Sequence, residues 1–344
     1  MEEKTMPTTL SLPQHFTSRP ATLDDVEAVV DLLNTCSTEQ IGKPRSEAHE
    51  IRNDWQSPTF NLETDTLVVI APDGKIVGHA AVWDSAPHVR IYMMAGDVHP
   101  EYKGQGIGTA LCQWAEERGR QAVLKAPAGT RVALLQDKIS TDTTAQELLC
   151  KQGYQLARHN FRMVIEMNGP PPDPVVPDGI TIRTFVRDQD LCALILADRD
   201  AFRDHWGYVE HPFEEEYQEW AHWIDNDPDH DPSLWFLAVD GEEIAGMSLC
   251  HPKTVEDPQM GWVESLGVRR PWRRRGLALA LLHHSFGEFY RRGKRKVGLE
   301  VDTQSLTGAL RLYEKAGMHA DRQYVMYEKE LRPGEDLSTQ SLKE

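Results

Sequence analysis

Residues 261–282 read GWVESLGVRRPWRRRGLALALL, and the order of residue types predicts a strand, a tight turn and the start of a helix. Trp262, Val263, Leu266 and Val268 form the strand-like run, rich in aromatic and β-branched residues. Beyond the turn, Ala278, Leu281, Leu282, Phe286 and Phe289 recur at helical spacing. The first-turn N–H groups of such a helix have no intrahelical partner and the helix dipole adds positive potential, so the turn is suited to an anion such as phosphate. Gly276 and Ala278 keep the approach uncrowded, while Arg273, Arg274 and Arg275 bring permanent charge and forked donors that match phosphate oxygens.

Downstream, KVGLEVD (296–302) reads as the next strand and TGALRLYEKA (307–316) as a helix stopped by Gly317. The spacing Arg273-x-x-Gly276-x-Ala278 resembles the R/Q-x-x-G-x-G/A pyrophosphate loop of the GNAT superfamily of acetyl-CoA-dependent N-acetyltransferases. The second helix resembles the family's N-x-x-A-x-x-x-Y-E-K-x-G-F segment at Ala309, Tyr313, Glu314, Lys315 and Gly317. Met318 stands in the aromatic's place, and Ser305 where the family usually has Asn. The resemblance implies acetyl-CoA as cofactor, bound by the backbone of Leu266, Gly267 and Val268, by the loop Arg273, Arg274, Arg275, Gly276, Leu277 and Ala278, and near Ser305. It also implies an α/β (α+β) fold with a mixed, mostly antiparallel central sheet flanked by helices.

The organising stretch occurs twice. Lys103-x-x-Gly106-x-Gly108 repeats Arg273-x-x-Gly276-x-Ala278 at an offset of 276 − 106 = 170. Arg19 with Arg183, Asp73-Gly74 with Asp240-Gly241, and Gly153 with Gly317 keep nearly the same separation, which indicates a duplicated domain. By this repeat Val98, Lys103, Gly104, Gln105, Gly106, Ile107 and Gly108 are the candidate cofactor contacts of the first copy. The glycines there do not match a dinucleotide fingerprint, and no GxxxxGK[ST] is present. The first copy has Leu149 where the second has Tyr313, and leucine cannot exchange a proton. The chemistry is therefore expected in the second copy.

A length of 344 residues suits two domains. The expected division is a loose extension over 1–16, an N-terminal domain over 17–167 with degenerate catalytic positions, a proline-rich linker over 168–178, a catalytic domain over 179–332 and a tail over 333–344. Residues 168–177 (NGPPPDPVVP) can form neither a helix nor a central strand. The net charge of −17 argues against nucleic acid as a partner, and no apolar run is long enough for a membrane. With no leader-like start and five cysteines lacking CxxC spacing, a cytoplasmic protein with free thiols is expected. The histidines lack H-x-x-x-H spacing on one helical face, so no metal site is expected. Two domains able to pack as a pseudo-dimer favour a monomer.

Acetyl transfer to an amine needs a neutral nucleophile, a polarised thioester carbonyl and a proton for the leaving thiolate. Tyr313 is the candidate acid, at a position the resemblance places beside the thiol. Glu264 is the candidate base, expected to share a strand face with Trp262 and Leu266 by simple alternation, with Glu300 as its competitor. The segment AFRDHWGYVEHPFEEEYQEWAHWIDNDPDHDP (201–232) is dense in aromatic and acidic residues suited to a cationic amine. Asp204, His205, Trp206, Glu210 and Glu214 are its candidate substrate contacts. The function expected is transfer of acetyl from acetyl-CoA to the primary amine of a small molecule. Two alternatives stand beside it: an enzyme of the mycothiol synthase type, which the tandem architecture resembles, acting on a cysteinyl aminosugar amine, and a non-catalytic acetyl-CoA sensor or scaffold.

Overall fold

The computed structural model describes residues 12–341, so 1–11 of the expected extension and 342–344 of the expected tail lie outside the described residues. The first half of the chain runs β1 (Thr17–Arg19), α1 (Val26–Ile41), α2 (Ala48–Trp55), α3 (Leu62–Asp65), β2 (Thr66–Ile70), β3 (Ile76–Trp83), β4 (Arg90–Val98), α4 (Ile107–Val123), β5 (Val132–Ile139), α5 (Thr143–Lys151) and β6 (Gln155–Glu166). The second runs β7 (Ile180–Thr184), α6 (Arg187–Phe202), α7 (Phe213–Asn226), β8 (Trp235–Asp240), β9 (Glu243–His251), β10 (Met260–Val268), α8 (Leu277–Arg291), β11 (Lys296–Asp302), α9 (Ala309–Lys315) and β12 (His319–Arg332). Apart from the number of short helices after α1 and α6, the two halves repeat one element order. The repeat reaches single ion pairs: Arg19 holds Asp25 at 2.6 Å and Arg183 holds Asp190 at 2.7 Å, each pinning the start of its first helix.

The chain forms two compact units, one comprising residues through Ala157 with Met326–Asp336, the other Arg158–Val325 with the residues from Leu337 on. This differs from a boundary in the proline-rich segment. Residues 160–166 of β6 pair antiparallel with β11 over Asn160–Glu166 and Asp302–Lys296, which makes them part of the second unit. The proline-rich residues themselves have no helix or strand and also belong to that unit. The expected tail is partly fastened. The N–H of Gly207 donates to the carbonyl of Thr339 at 2.7 Å, and the indole N–H of Trp206 donates to Gln340 at 2.8 Å. At the other end Phe16, placed in the expected loose extension, packs its ring against Tyr102 at 6.0 Å.

In the second unit the strands lie in the order β7-β8-β9-β10-β11-β6, with every described pairing antiparallel except β10–β11. One face of this sheet carries α8, whose Leu281, Leu282, Phe286 and Phe289 pack with Phe236, Val263, Leu299 and Val301. The other carries α6 and α7, where Leu191, Leu194 and Ile195 pack with Trp235, Leu237, Met247 and Leu249. Gly261 allows the first packing: a Cβ there would sit 2.4 Å from the Phe289 ring. In the first unit α1 buries Val26, Val29 and Leu32 against Trp55, Val68 and Ile76.

Candidate active site

The site follows from where β10 and β11 stop pairing. They run parallel only at Met260–Trp262 against Lys296–Gly298. Beyond Trp262, β10 continues with β9 alone, and β11 continues with β6. The strands therefore part. The Arg269 N–H donates to the Ala245 carbonyl of β9, so by alternation Gly267 pairs with Met247 while the backbone groups of Leu266 and Val268 turn to the β11 side. Unpaired N–H groups there are obligatory donors awaiting an acceptor.

A β-bulge shapes the same strand. Val263 pairs with Cys250 and Ser265 with Leu249, so Glu264 is the extra residue. The bulge shifts the alternation. Val263 packs in the α8-side core, and after the bulge Leu266 and Val268 return to that side. Trp262, Glu264 and Ser265 project to the face of α6 and α7. Glu264 thus shares a face with Trp262 but, contrary to simple alternation, not with Leu266. The Trp262 indole N–H donates to Glu264 Oε2 at 2.8 Å, and the Ser265 hydroxyl donates to Asp198 Oδ1 at 3.3 Å.

Tyr313 lies on the opposite face. It projects from α9 into the α8-side core, is 7 % exposed, and burial pushes its phenol up to about 12. Such a phenol stays protonated and can serve as a donor. Ser305 shares a hydrogen bond with Thr307 at 3.0 Å in the turn before α9. Glu300 faces Arg162 across the β11–β6 register.

At the start of α8, Gly276 is the N-cap with φ of +87°, and a Cβ there would meet nothing within 4 Å. The space before the helix N-terminus is open, as an anion site requires. Leu277 is buried beneath it, and Arg274 and Arg275 are exposed beside it. Arg274 adopts φ of +61°, a left-handed conformation that costs a non-glycine residue roughly 1–2 kcal/mol. The first copy has Gly104 at this place, with φ of +77°.

Arg273 is used differently from its neighbours. Its guanidinium folds back, donating to the carbonyls of Val268 at 2.9 Å and Ala201 at 2.8 Å and to Asp204 Oδ2 at 2.5 Å. Arg270 also grips the Asp204 carboxylate through both oxygens. Asp204 is 3 % exposed, and the Arg270 hydrogen bonds, with help from Arg273, hold its carboxyl down at about 2. Instead of facing an acceptor, Asp204 ties the loop to α6.

Of the other acceptor candidates, His205 packs on Phe202 at 4.6 Å, and burial lowers its pKa, which keeps the imidazole neutral. Arg158 stacks over Trp206 at 4.2 Å. Glu210 and Glu214 are exposed, the latter accepting from Gln218 on α7 at 3.1 Å. Asp198 and Ser265 escaped the sequence reading. The signal was available, because Asp198 falls on the apolar stripe of α6 set by Leu191, Leu194 and Ile195.

The first unit repeats the frame with other groups. β4 and β5 pair in parallel only at Arg90–Tyr92 against Ala133–Leu135, and Met94 is the bulged residue between Met93 and Ala95. Met94, 68 % exposed, thus holds the place of Glu264, Ala95 that of Ser265, and Leu149, 1 % exposed, that of Tyr313. Gly106 caps α4 with φ of +92° and open space before it. Gln105 is exposed and Ile107 buried, while Gly108 leaves room for Leu148. Lys103 is paired with Glu39, and the Val98 carbonyl accepts from the Cys36 thiol at 3.3 Å. At Gly96, the place of Leu266, a Cβ would lie 2.8 Å from Met93 Cε and 3.5 Å from Lys138 Nζ.

Known proteins are similar to this chain in sequence and fold. The sequence profile of the Acetyltransferase (GNAT) family matches twice, at residues 26–154 and 197–318. A mycothiol acetyltransferase of Geodermatophilus obscurus is 27 % identical over 304 residues, covering 85 % of this chain and 90 % of that protein. One of Salinispora arenicola is 30 % identical over 276 residues, covering 76 % and 81 %. The crystal structure of a GCN5-related N-acetyltransferase from Sphaerobacter thermophilus is 38 % identical and superposes with a TM-score of 0.76 over 95 % of this chain and 99 % of that one. A tandem GNAT protein from the clavulanic acid biosynthesis pathway shares the fold at a TM-score of 0.69 and 16 % identity, over 93 % and 100 % of the two chains. With the family pattern present twice along its length, the chain belongs to the GNAT acetyltransferases and is an acyltransferase of tandem GNAT architecture.

Proposed function

We propose that this enzyme transfers the acetyl group of acetyl-CoA to the primary amine of a small-molecule acceptor, with the chemistry in the second unit. The observation that carries this reading is the wedge at β10, with Glu264 on one face of the sheet and Tyr313 on the other. At the equivalent places the first unit offers only Met94 and Leu149.

Acetyl-CoA supplies an activated thioester. The α8 N-terminus with Arg274 and Arg275 suits its phosphates, and the backbone N–H groups of Leu266 and Val268, which face away from β9, suit the acyl oxygen. Glu264, oriented by the Trp262 indole, attracts the acceptor ammonium on the α6/α7 face. Tyr313 gives its proton to the leaving sulfur from the other face. The relatives named mycothiol acetyltransferase support the narrower reading of a cysteinyl amine on an aminosugar scaffold as acceptor. The same proposal keeps the enzyme a cytoplasmic monomer with free cysteines.

The test is product analysis after incubation of the full chain with acetyl-CoA and cysteinyl-glucosaminyl-inositol, set beside a panel of simple primary amines. Formation of an N-acetylated product supports the reading. Acetyl-CoA binding without acetylation of any amine would instead make the protein a sensor.

A further inference from the structure

The bulge turns two consecutive side chains, Glu264 and Ser265, onto the same face. Glu264 is exposed and engaged by an indole N–H. Ser265 leads inward to Asp198 on α6. No ion pair reaches Asp198 among the described residues, although arginines abound nearby. Arg199 is taken by Glu216 at 2.5 Å, and Arg269 by Asp200 at 2.9 Å. The groups facing Asp198 are Ser265 from β10 and, from α7, the carboxylate of Glu216. Burial first, and then the Glu216 charge, push the Asp198 carboxyl up to about 7.

A half-buried aspartate on the apolar side of a helix, with no cation paired to it, is costly. The Ser265 hydroxyl spends its one proton on Asp198 and keeps lone pairs able to accept an N–H. This is the geometry of a proton relay that begins on the acceptor face beside Glu264.

Resting on the acetyl-transfer reading above, we propose that Asp198 receives the acceptor's proton through the Ser265 hydroxyl, while Glu264 holds the incoming ammonium. The ammonium proton passes to Ser265 Oγ as the hydroxyl's own proton passes to Asp198 Oδ1, leaving a lone pair on nitrogen. The nitrogen–carbon bond forms and the carbon–sulfur bond breaks, with the sulfur taking the Tyr313 proton. The second nitrogen proton, released as the amide forms, restores the phenol, and Asp198 returns its proton to solvent. Asp198 acts through Ser265 and does not touch the acceptor. The first unit has Met94 and Ala95 at its bulge and can build no such relay.

Two measurements on the full chain test this. In protein labelled with 13C at aspartate carboxyls, NMR titration should show two resonances with midpoints near 7, those of Asp54 and Asp198, one of which is missing in Asp198→Asn; two such resonances in the variant would overturn the assignment without reference to any acceptor. The pH profile of kcat/KM, with cysteinyl-glucosaminyl-inositol as probe, should rise through the same midpoint in wild type. Asp198→Asn and Ser265→Ala should both lose that inflection and fall about 100-fold at pH 7.5, Asp198→Glu should recover part of the rate, and Glu264→Gln should chiefly raise KM and keep the inflection. A wild type that turns over with a profile indifferent to both Asp198→Asn and Ser265→Ala would sink the relay alone. A wild type that leaves the probe unacetylated would sink the acetyl-transfer reading for this acceptor, and the relay with it.

Discussion

The indole N–H of Trp262 donates to Glu264 Oε2 at 2.8 Å, which ties the carboxylate to the last residue of β10 that still pairs with β11. Gly298, its partner on β11, is what admits the ring, since a Cβ there would lie 2.7 Å from Trp262 Cζ3. Gly298→Ala should therefore displace the indole and misdirect Glu264. We expect a fall in kcat/KM of about 10-fold, a loss of roughly 1.4 kcal/mol at the transition state, with acetyl-CoA affinity unchanged. Steady-state kinetics beside calorimetry of acetyl-CoA binding checks it, and unaltered kcat/KM would detach Trp262 from the chemistry.

Tyr313 is buried and its phenol is pushed up to about 12. Tyr313→Phe keeps the packing and removes the proton. Turnover should fall by about 100-fold or more, the ordinary worth of a general acid, while calorimetry shows wild-type affinity for acetyl-CoA. Equal turnover would exclude the phenol as the acid.

Asp204 joins Arg270 and Arg273 beneath the loop. Asp204→Ala removes the shared partner of exposed Arg270 and half-buried Arg273 and should lower the urea midpoint. It should also weaken acetyl-CoA binding, because Arg273 would no longer be held on Val268 and Ala201. A stable variant with intact binding would show that the loop keeps its shape unaided.

Two carboxyls give stability opposite dependences on pH. Asp204, held at about 2 by Arg270 and Arg273, contributes stability that is present above the ordinary aspartate pKa and lost as pH falls towards 2. Asp198, raised to about 7, is protonated in the folded chain where the unfolded chain has already ionised. Its contribution therefore shrinks as pH rises from about 4 to 7. Asp198→Asn should flatten this fall, so the variant gains on wild type as pH rises from 5 to 8. Urea midpoints measured across that range decide the point.

The first loop keeps a helix N-terminus open to an anion, but Lys103 is bound to Glu39, and Met93 and Lys138 lie against Gly96 where the second unit has Leu266. Calorimetry should therefore find one acetyl-CoA per chain, lost in Gly276→Trp and kept in Gly106→Trp. Two sites, each removed by its own substitution, would restore the first unit as a cofactor binder.

The strand, turn and helix around Gly276, the duplication and the place of Tyr313 were legible because they rest on local spacing. The bulge was not. One extra residue in β10 is decided by how Cys250 and Leu249 of β9 pair with it, and simple alternation sets Leu266 beside Glu264 instead. Asp204 reads as an acceptor contact because it sits among aromatic and acidic residues. Nothing in its neighbourhood of sequence announces that Arg270 and Arg273, more than sixty positions on, fold back to it. Asp198 was legible from its spacing with Leu191, Leu194 and Ile195, but those apolar neighbours draw attention to packing instead.

The last strand, β12, is divided between the units at Val325 and Met326, and the second unit opens with residues of β6 at Arg158. The duplicated sequence therefore does not correspond to two detachable modules. A fragment ending in the proline-rich segment would carry an incomplete first unit together with a strand that β11 requires, and the complementary fragment would lack that strand. Neither repeat is expected to be expressible as an independent protein by cutting between them, and reconstitution would need both fragments to refold together.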